Sequence, residues 1–63
     1  MTVREVLAIL RRDGWFVVRQ RGSHRQFHHA MKPGTVTVAG KPSKTLHPKV
    51  VVSIMQQAQL EKP

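Results

Sequence analysis

The sequence predicts an α+β domain with the element order α-β-β-β-α, a three-stranded antiparallel sheet with two helices on one face. Three observations predict it. An amphipathic segment opens the chain, three short runs rich in β-branched and aromatic residues follow, and a second amphipathic segment begins at a proline. At 63 residues the chain has room for one domain, residues 1–63, and for no second core.

The first helix is predicted by a capping box and by its apolar spacing. Residues 2–5 read Thr-Val-Arg-Glu, so the Thr2 hydroxyl can accept from the backbone N–H of Glu5 while the Glu5 carboxylate accepts from that of Thr2. Gly14 follows Asp13, where a left-handed residue ends a helix. We therefore expect a helix over residues 3–13. Its apolar face consists of Val3, Val6, Leu7 and Leu10.

Three strands are predicted over residues 15–20, 24–30 and 35–39. The first is aromatic and β-branched, the second alternates around Phe27, and the third alternates cleanly as Thr-Val-Thr-Val-Ala. Residues 21–22 and 31–34 contain the turn-forming glycines and proline between them. The pattern predicts an antiparallel meander.

The turn lengths predict which side chains share a face of the sheet. A two-residue turn at 21–22 places Phe16 opposite Phe27 and Arg19 opposite His24. A four-residue turn at 31–34 places Phe27 opposite Val38. The predicted core face consists of Phe16, Phe27, Val36 and Val38. The predicted solvent face consists of Arg19, His24, Gln26, His28, Thr35 and Thr37.

The last part of the chain predicts a polar loop and a second helix. Residues 40–45 form the loop, and Pro48 suits the first helical position because its missing N–H would be unpaired there. Residues 61–63 form a short polar tail. The helix's apolar stripe consists of Val51, Ile54, Met55 and Ala58.

The charge of the chain predicts an anionic partner. Eleven Lys and Arg residues against three acidic ones give a formal charge of +8, and basic residues concentrate between Arg19 and Lys49. The pI of about 11.7 exceeds the value of ~9 that is typical of nucleic-acid-binding domains. Nucleic acid, or an acidic protein that mimics it, is the expected partner.

Membrane and secreted classes are disfavoured. The apolar runs are far shorter than the roughly 18 residues that span a bilayer, and the amino terminus lacks the apolar core of a signal peptide. Neither helix carries the dense basic face of an interfacial anchor. The absence of cysteine suits a reducing compartment, so we expect a soluble, cytoplasmic protein that does not bind membranes.

A metal site is disfavoured although three histidines lie close together in the sequence. On a strand His24 and His28 stand about 13 Å apart, at ~3.3 Å per residue, and His28 and His29 point to opposite faces. Cysteine is absent and carboxylates are few. We therefore expect no bound metal and no cofactor.

Histidine chemistry on RNA suits the composition better than a protease-type triad. Ser23 precedes His24, but the acids lie at the ends of elements, and a turn serine that bonds its own backbone is the more ordinary interpretation. RNA carries its own nucleophile, the 2′-hydroxyl. A histidine imidazole can take or give a proton near neutral pH, and Arg19 across the strand pair is expected to bind the scissile phosphate. From spacing alone, however, a single exposed histidine is more often inert.

A resemblance along nearly the whole chain favours the catalytic interpretation. The helix that closes in Asp-Gly-Trp at 13–15, the run Arg-Gln-Arg-Gly-Ser-His at 19–24 and Ser-Ile-Met-Gln-Gln-Ala at 53–58 resemble the HicA family. The resemblance implies a catalytic histidine at His24, a fold similar to a double-stranded RNA-binding domain, and a HicB-type antitoxin as partner. Lys49-Val50 and Gln59 depart from the family's common Gly-Thr and glycine, and the third strand lacks the histidine that some members carry.

The sequence thus predicts a metal-independent endoribonuclease toxin that cleaves mRNA and blocks translation. Two alternatives remain open at this point, a non-catalytic RNA-binding module and a protein-interaction domain with an acidic partner. Trp15 is either an aromatic platform for a base or a core residue. His24 is the predicted catalytic residue. The predicted RNA contacts are Arg19, Arg21, Ser23, Arg25, Lys32, Lys41 and Lys44.

Overall fold

A computed structural model describes residues 1–60 as two helices and a three-stranded antiparallel sheet. The predicted tail, residues 61–63, lies outside the described residues. Neither described helix is long and apolar enough to cross a membrane. The predicted α-β-β-β-α order is confirmed. The elements are α1 (Val3–Arg12), β1 (Trp15–Arg21), β2 (His24–His29), β3 (Val36–Ala39) and α2 (Pro48–Gln57), and the strand order in the sheet is β1-β2-β3.

Both predicted signals at the ends of α1 are present. The Glu5 N–H donates to the Thr2 hydroxyl over 3.3 Å, and the Thr2 N–H donates to the Glu5 carboxylate over 2.8 Å. This bond from the Thr2 backbone is the main reason that the pKa of Glu5 lies below its ordinary value. At the other end Asp13 caps the helix and Gly14 has φ +102°. A Cβ at Gly14 would also lie 2.8 Å from the His29 ring.

One hydrophobic core joins both helices to the same face of the sheet. Phe27, Val36 and Val38 are fully buried, as predicted, and α1 contributes the four apolar residues that its spacing indicated. The opposite side of the sheet carries exposed side chains and is called the open face from here on. The core consists of Val3, Val6, Leu7, Leu10, Trp15, Phe27, Val36, Val38, Leu46, Ile54, Met55 and Ala58.

The register of β1 against β2 differs from the predicted one. Val17 pairs with Phe27, and a β-bulge separates Val17 from Arg19. Phe16 therefore faces away from the core and is 50% exposed, so its predicted place in the core is wrong. The prediction assumed uninterrupted alternation and a turn at 21–22, whereas the turn lies at 22–23 and the bulge adds one residue to β1.

The register of β2 against β3 is shifted by two residues from the predicted one. Phe27 pairs with Val36 instead of Val38, because the two strands pair about a point between residues 31 and 32, one residue earlier than the centre of the predicted turn. A shift of two residues leaves every side chain on the same face. The predicted faces of β2 and β3 are therefore confirmed.

The loop after β3 folds back onto the start of α1. The N–H groups of Val3 and Arg4, which have no acceptor within the helix, donate to the carbonyls of Lys44 and Pro42 over 2.9 and 3.0 Å. Leu46 is buried in the core and donates its N–H to Met1 O over 2.8 Å. The loop thus caps α1 and connects β3 to α2.

Asp13 connects the ends of both helices to the sheet. Its carboxylate accepts from Trp15 Nε1 over 3.1 Å and from Lys32 Nζ over 2.7 Å. Lys32 Nζ also donates to the carbonyls of Ala58 and Gln59 at the end of α2, over 3.2 and 3.3 Å. The hydrogen bond from Lys32 is the main reason that the pKa of Asp13 lies below its ordinary value.

His29 completes this cluster from β2. Its Nε2 lies 2.6 Å from Asp13 O, and its Nδ1 accepts from the N–H groups of Met31 and Lys32 over 2.9 and 3.1 Å. Because two N–H groups point at Nδ1, the ring proton belongs on Nε2, which donates to Asp13 O. His29 thereby fixes the end of α1 to the connection between β2 and β3.

Both ends of α2 are capped by unusual residues. His47 Nδ1 accepts from the N–H of Lys49 over 3.1 Å, while Pro48 occupies the first turn as predicted. At the other end, Leu60 N–H donates to Met55 O over 2.9 Å and the intervening Gln59 has φ +55°. This is a Schellman motif in which glutamine occupies the left-handed position that glycine usually fills.

Replacing Gln59 with glycine should therefore stabilise the protein. We expect Gln59→Gly to raise the free energy of unfolding by about 0.5–1 kcal/mol, since glycine adopts a positive φ without the Cβ penalty. Urea denaturation measures the change. Gln56→Gly, in the last turn within α2, is the matched control and should lower stability by about 1 kcal/mol. Equal destabilisation by both variants would contradict this account of the helix end.

Acid should weaken the fold through Asp13. Its folded pKa is lowered, so the unfolded state binds more protons between that pKa and the ordinary carboxyl value of about 3.9. The stabilisation is complete above the unfolded pKa and is lost as the pH falls through the folded one. Tm measured from pH 5 to pH 2 should fall less for Asp13→Asn than for wild type, although Asp13→Asn starts lower. Glu5→Gln is the control and should retain the Asp13 contribution to the pH dependence of Tm. Parallel curves of Tm against pH for wild type and Asp13→Asn would disprove that contribution.

Candidate nucleic-acid interface

The open face of the sheet carries two arginines and two histidines in cross-strand rows. Arg21 pairs with His24 at the end next to the β1–β2 turn. Arg19 pairs with Gln26 in the middle row, and Gln26 pairs with Thr37 of β3. The exposed side chains of this face are Phe16, Arg19, Arg21, His24, Gln26, His28 and Thr37.

An open depression on this face contains His24 together with both arginines. Its lining residues are Arg19, Arg21, His24, Gln26 and Thr37. The prediction that Arg19 stands opposite His24 is wrong, because the bulge and the shifted turn place Arg21 there. Arg19 is one row away and still lines the depression. The depression thus brings a histidine, two guanidinium groups and two neutral polar side chains together.

The position of His24 follows from the turn before it. Gly22 has φ +58°, which allows the tight turn, and His24 is the first residue of β2. The Ser23 carbonyl accepts from Gly40 N–H over 3.2 Å and from Arg25 Nη1 over 3.2 Å. Arg25 Nη1 also donates to Gly40 O over 3.0 Å. These bonds fasten the turn to the end of β3 and so fix the backbone that carries His24.

Comparison with protein families identifies the chain. A family model described as the HicA toxin of bacterial toxin–antitoxin systems matches residues 3–60, which is nearly the whole chain. The chain belongs to the HicA toxin family. HicA proteins are the toxins of toxin–antitoxin pairs, generally cleave mRNA, and are paired with a HicB antitoxin. Comparison with curated protein sequences gave no significant match.

Two of the predicted RNA contacts lie away from the depression of this HicA chain. Arg25 is half-buried on the core-facing side, where it pairs with Val38 and bonds the turn. Lys32 is bound by Asp13 and by the carbonyls at the end of α2. Both side chains are engaged in contacts that hold the fold together, and neither lines the depression.

Two other predicted contacts lie in the loop after β3. Lys41 and Lys44 are exposed, and their backbones join in a turn in which Lys44 N–H donates to Lys41 O over 2.9 Å. Lys44 also lines a second depression, between β3 and α2, that shares Thr37 with the first. Lys44 thus lies next to the edge of the open face at Thr37. Ser23 lies in the β1–β2 turn.

The aromatic residues of the HicA chain are arranged differently from the sequence prediction. Trp15 is 2% exposed and packs edge-on against His29, with ring centroids 5.1 Å apart. Its interpretation as a core residue is confirmed, and that of a platform for a base is wrong. Phe16, its neighbour, is the exposed aromatic residue. The signal that could have revealed this is Asp13, two residues before Trp15, because a buried indole N–H needs an acceptor and the Asp13 carboxylate provides it.

The histidines also have separate roles. His29 and His47 hold the fold through backbone bonds, and His28 Nε2 lies 3.0 Å from the Thr35 hydroxyl. For His24, no hydrogen bond to its ring comes from the part of the chain that the structure describes. Within residues 1–60 there is also no group of three or more His, Asp or Glu side chains placed to hold a metal ion.

Proposed function

We propose that this protein is a metal-independent endoribonuclease that cuts mRNA beside His24 and thereby blocks translation. The observation that carries the proposal is one depression in which an exposed histidine adjoins Arg19 and Arg21, on a sheet face of a HicA toxin. A histidine supplies proton transfer near neutral pH, and two guanidinium groups bind a phosphate and its developing charge.

The chemistry requires only the substrate's own nucleophile. The RNA 2′-hydroxyl attacks the adjacent phosphorus, the bond from phosphorus to the 5′-oxygen breaks, and the proton lost by the 2′-hydroxyl is balanced by the one that the leaving oxygen gains. His24 performs one of these transfers and water performs the other. The products are a 2′,3′-cyclic phosphate and a 5′-hydroxyl.

The remaining residues of the depression orient the substrate. Arg21, directly across from His24, and Arg19, one row away, hold the scissile phosphate and stabilise its pentacoordinate state. Gln26 and Thr37 supply neutral hydrogen-bonding groups for the ribose or the phosphate. Orientation of this kind lowers the barrier because the reacting groups are already aligned.

Lys41, Lys44 and Ser23 extend the RNA surface beyond the depression. Both lysines are exposed on the loop after β3, and Lys44 lines the depression that shares Thr37 with the open face. Their charges attract flanking phosphates without reading sequence. Ser23 lies in the turn directly before His24. The HicB-type antitoxin is the proposed protein partner, since a toxin of this class is held inactive in its pair.

Cleavage by the purified protein should depend on His24 and survive EDTA. We expect His24→Ala to reduce the cleavage rate by about 10²–10⁴-fold with an unchanged fold, since one general acid or base contributes that much. His47→Asn is the matched control, because asparagine preserves the helix cap while removing another exposed histidine. A long RNA is incubated with each protein in chelator, and fragment ends are mapped.

Three outcomes would contradict this mechanism. Equal cleavage by wild type and His24→Ala removes the catalytic role of His24. Cleavage only with added divalent metal overturns metal independence. No cleavage by either protein, with RNA binding retained, identifies a non-catalytic RNA-binding module instead.

RNA affinity should fall with salt because the depression is cationic. Each phosphate neutralised on single-stranded RNA contributes about −0.7 to the slope of log affinity against log salt. In the non-cleaving His24→Ala background, Arg19→Ala and Arg21→Ala should each flatten the slope by about that amount. Arg11→Ala, on the exposed side of α1, is the control. An identical effect of all three changes would show that only net charge matters.

A further inference from the structure

Phe16 is an aromatic residue that the core does not use. Of the three aromatic residues of the chain, Trp15 and Phe27 are buried, whereas Phe16 is half-exposed. A single exposed apolar side chain needs no explanation by itself. The position of Phe16 does need an explanation, because Phe16 lies on the polar open face in the row next to Arg19 and Gln26.

The β-bulge creates this arrangement. In a regular strand, side chains three positions apart point to opposite faces. The bulge between Val17 and Arg19 adds one residue, so Phe16 and Arg19 both face outward. Bulges often redirect a side chain next to a functional site. Here the bulge places Arg19, which lines the cationic depression, on the same face as the Phe16 ring.

The cross-strand partner of Phe16 is polar and is engaged in a hydrogen bond. His28 pairs directly with Phe16, and its Nε2 is engaged with the Thr35 hydroxyl over 3.0 Å. Cross-strand partners have Cβ atoms about 4.5–5.5 Å apart, so the polar His28 side chain stands beside the Phe16 ring. An apolar ring face with polar groups at its side suits a nucleobase, which presents a π-face and a hydrogen-bonding edge.

We propose that Phe16, with His28 beside it, is a stacking subsite for one unpaired base of the RNA. This inference rests on the proposed function and specifies its substrate as single-stranded at that position, because a base inside a duplex is already stacked. His28 stands four residues from His24 along β2, about 13 Å away, so the stacked base lies a short distance along the strand from the scissile phosphate.

The charge around Phe16 favours RNA over a protein as the occupant. Arg19 occupies the next row of the open face and Arg21 the row beyond it. The acids of the described chain, Glu5 and Asp13, both belong to the ends of α1 and are held in capping or ionic contacts. A polyanion with exposed aromatic faces complements cations and a phenyl ring on one surface.

The test measures the affinity of short single-stranded RNAs for the full chain in the His24→Ala background, at fixed salt. Phe16→Ala should weaken binding by about 5- to 100-fold, and Phe16→Trp should retain it. Val52→Ala, which trims a 36%-exposed apolar side chain on α2, is the matched control and should have no effect. Because Phe16 is exposed, Tm should change little in either variant.

A series of RNAs locates the subsite, each RNA lacking the base at a different position along the strand. We expect one abasic position to weaken binding as much as Phe16→Ala does, and to have no further effect once Phe16 is removed. Fully duplex RNA should bind both proteins equally. Equal affinities of Phe16→Ala and Val52→Ala, or a loss that every abasic RNA shares, would overturn the subsite. So would a loss of HicB-type antitoxin binding with RNA affinity unchanged, which would make this face a protein-docking surface.

The outcomes also separate this inference from the proposed function. His24-dependent cleavage with no effect of Phe16→Ala on RNA affinity overturns the subsite and leaves the nuclease intact. Phe16-dependent RNA binding by a wild-type protein that does not cut supports the subsite and overturns the nuclease.

Discussion

The rest of the structure depends on the hydrogen bonds and the ion pair that Asp13 makes at the end of α1. Its carboxylate binds the Trp15 indole and the Lys32 ammonium, and its carbonyl binds His29. Lys32 extends the connection to the last carbonyls of α2. A chain of this size has a small core and no disulfide. Burial of apolar surface alone therefore provides little stability in this chain. The contacts of one acid, Asp13, join the ends of both helices to the sheet.

The inward position of Trp15 determines how β1 is presented. With Trp15 inward, regular alternation would direct Arg19 and Arg21 toward the core side of the sheet. The bulge reverses the alternation after Val17, so both arginines reach the open face beside His24. Phe16 lies before the bulge, where the alternation is regular. It points outward because it directly follows the inward Trp15. The bulge thus accounts for the cationic depression and places it on the face where the Phe16 ring already lies.

The basic residues divide into those that hold the fold and those that remain exposed at the site. Arg25 fastens the turn before His24 to the end of β3, and Lys32 neutralises Asp13. Arg19 and Arg21 line the depression. A formal charge of +8 therefore overstates the charge available to RNA on one surface. Composition predicts the class of partner, whereas contacts decide which cations face it.

The sequence by itself determined the element order, the capping box, the Gly14 helix end and the faces of β2 and β3, because these depend on local propensities and on alternation within one strand. It also determined the family, through residues distributed along the whole chain. Only the tertiary structure decided the register of β1, the exposure of Phe16 and the pairing of Arg21 with His24. A bulge leaves no local signature in Trp-Phe-Val-Val, since every residue there suits a strand. The place of the bulge depends on pairing with β2, which only the assembled sheet fixes.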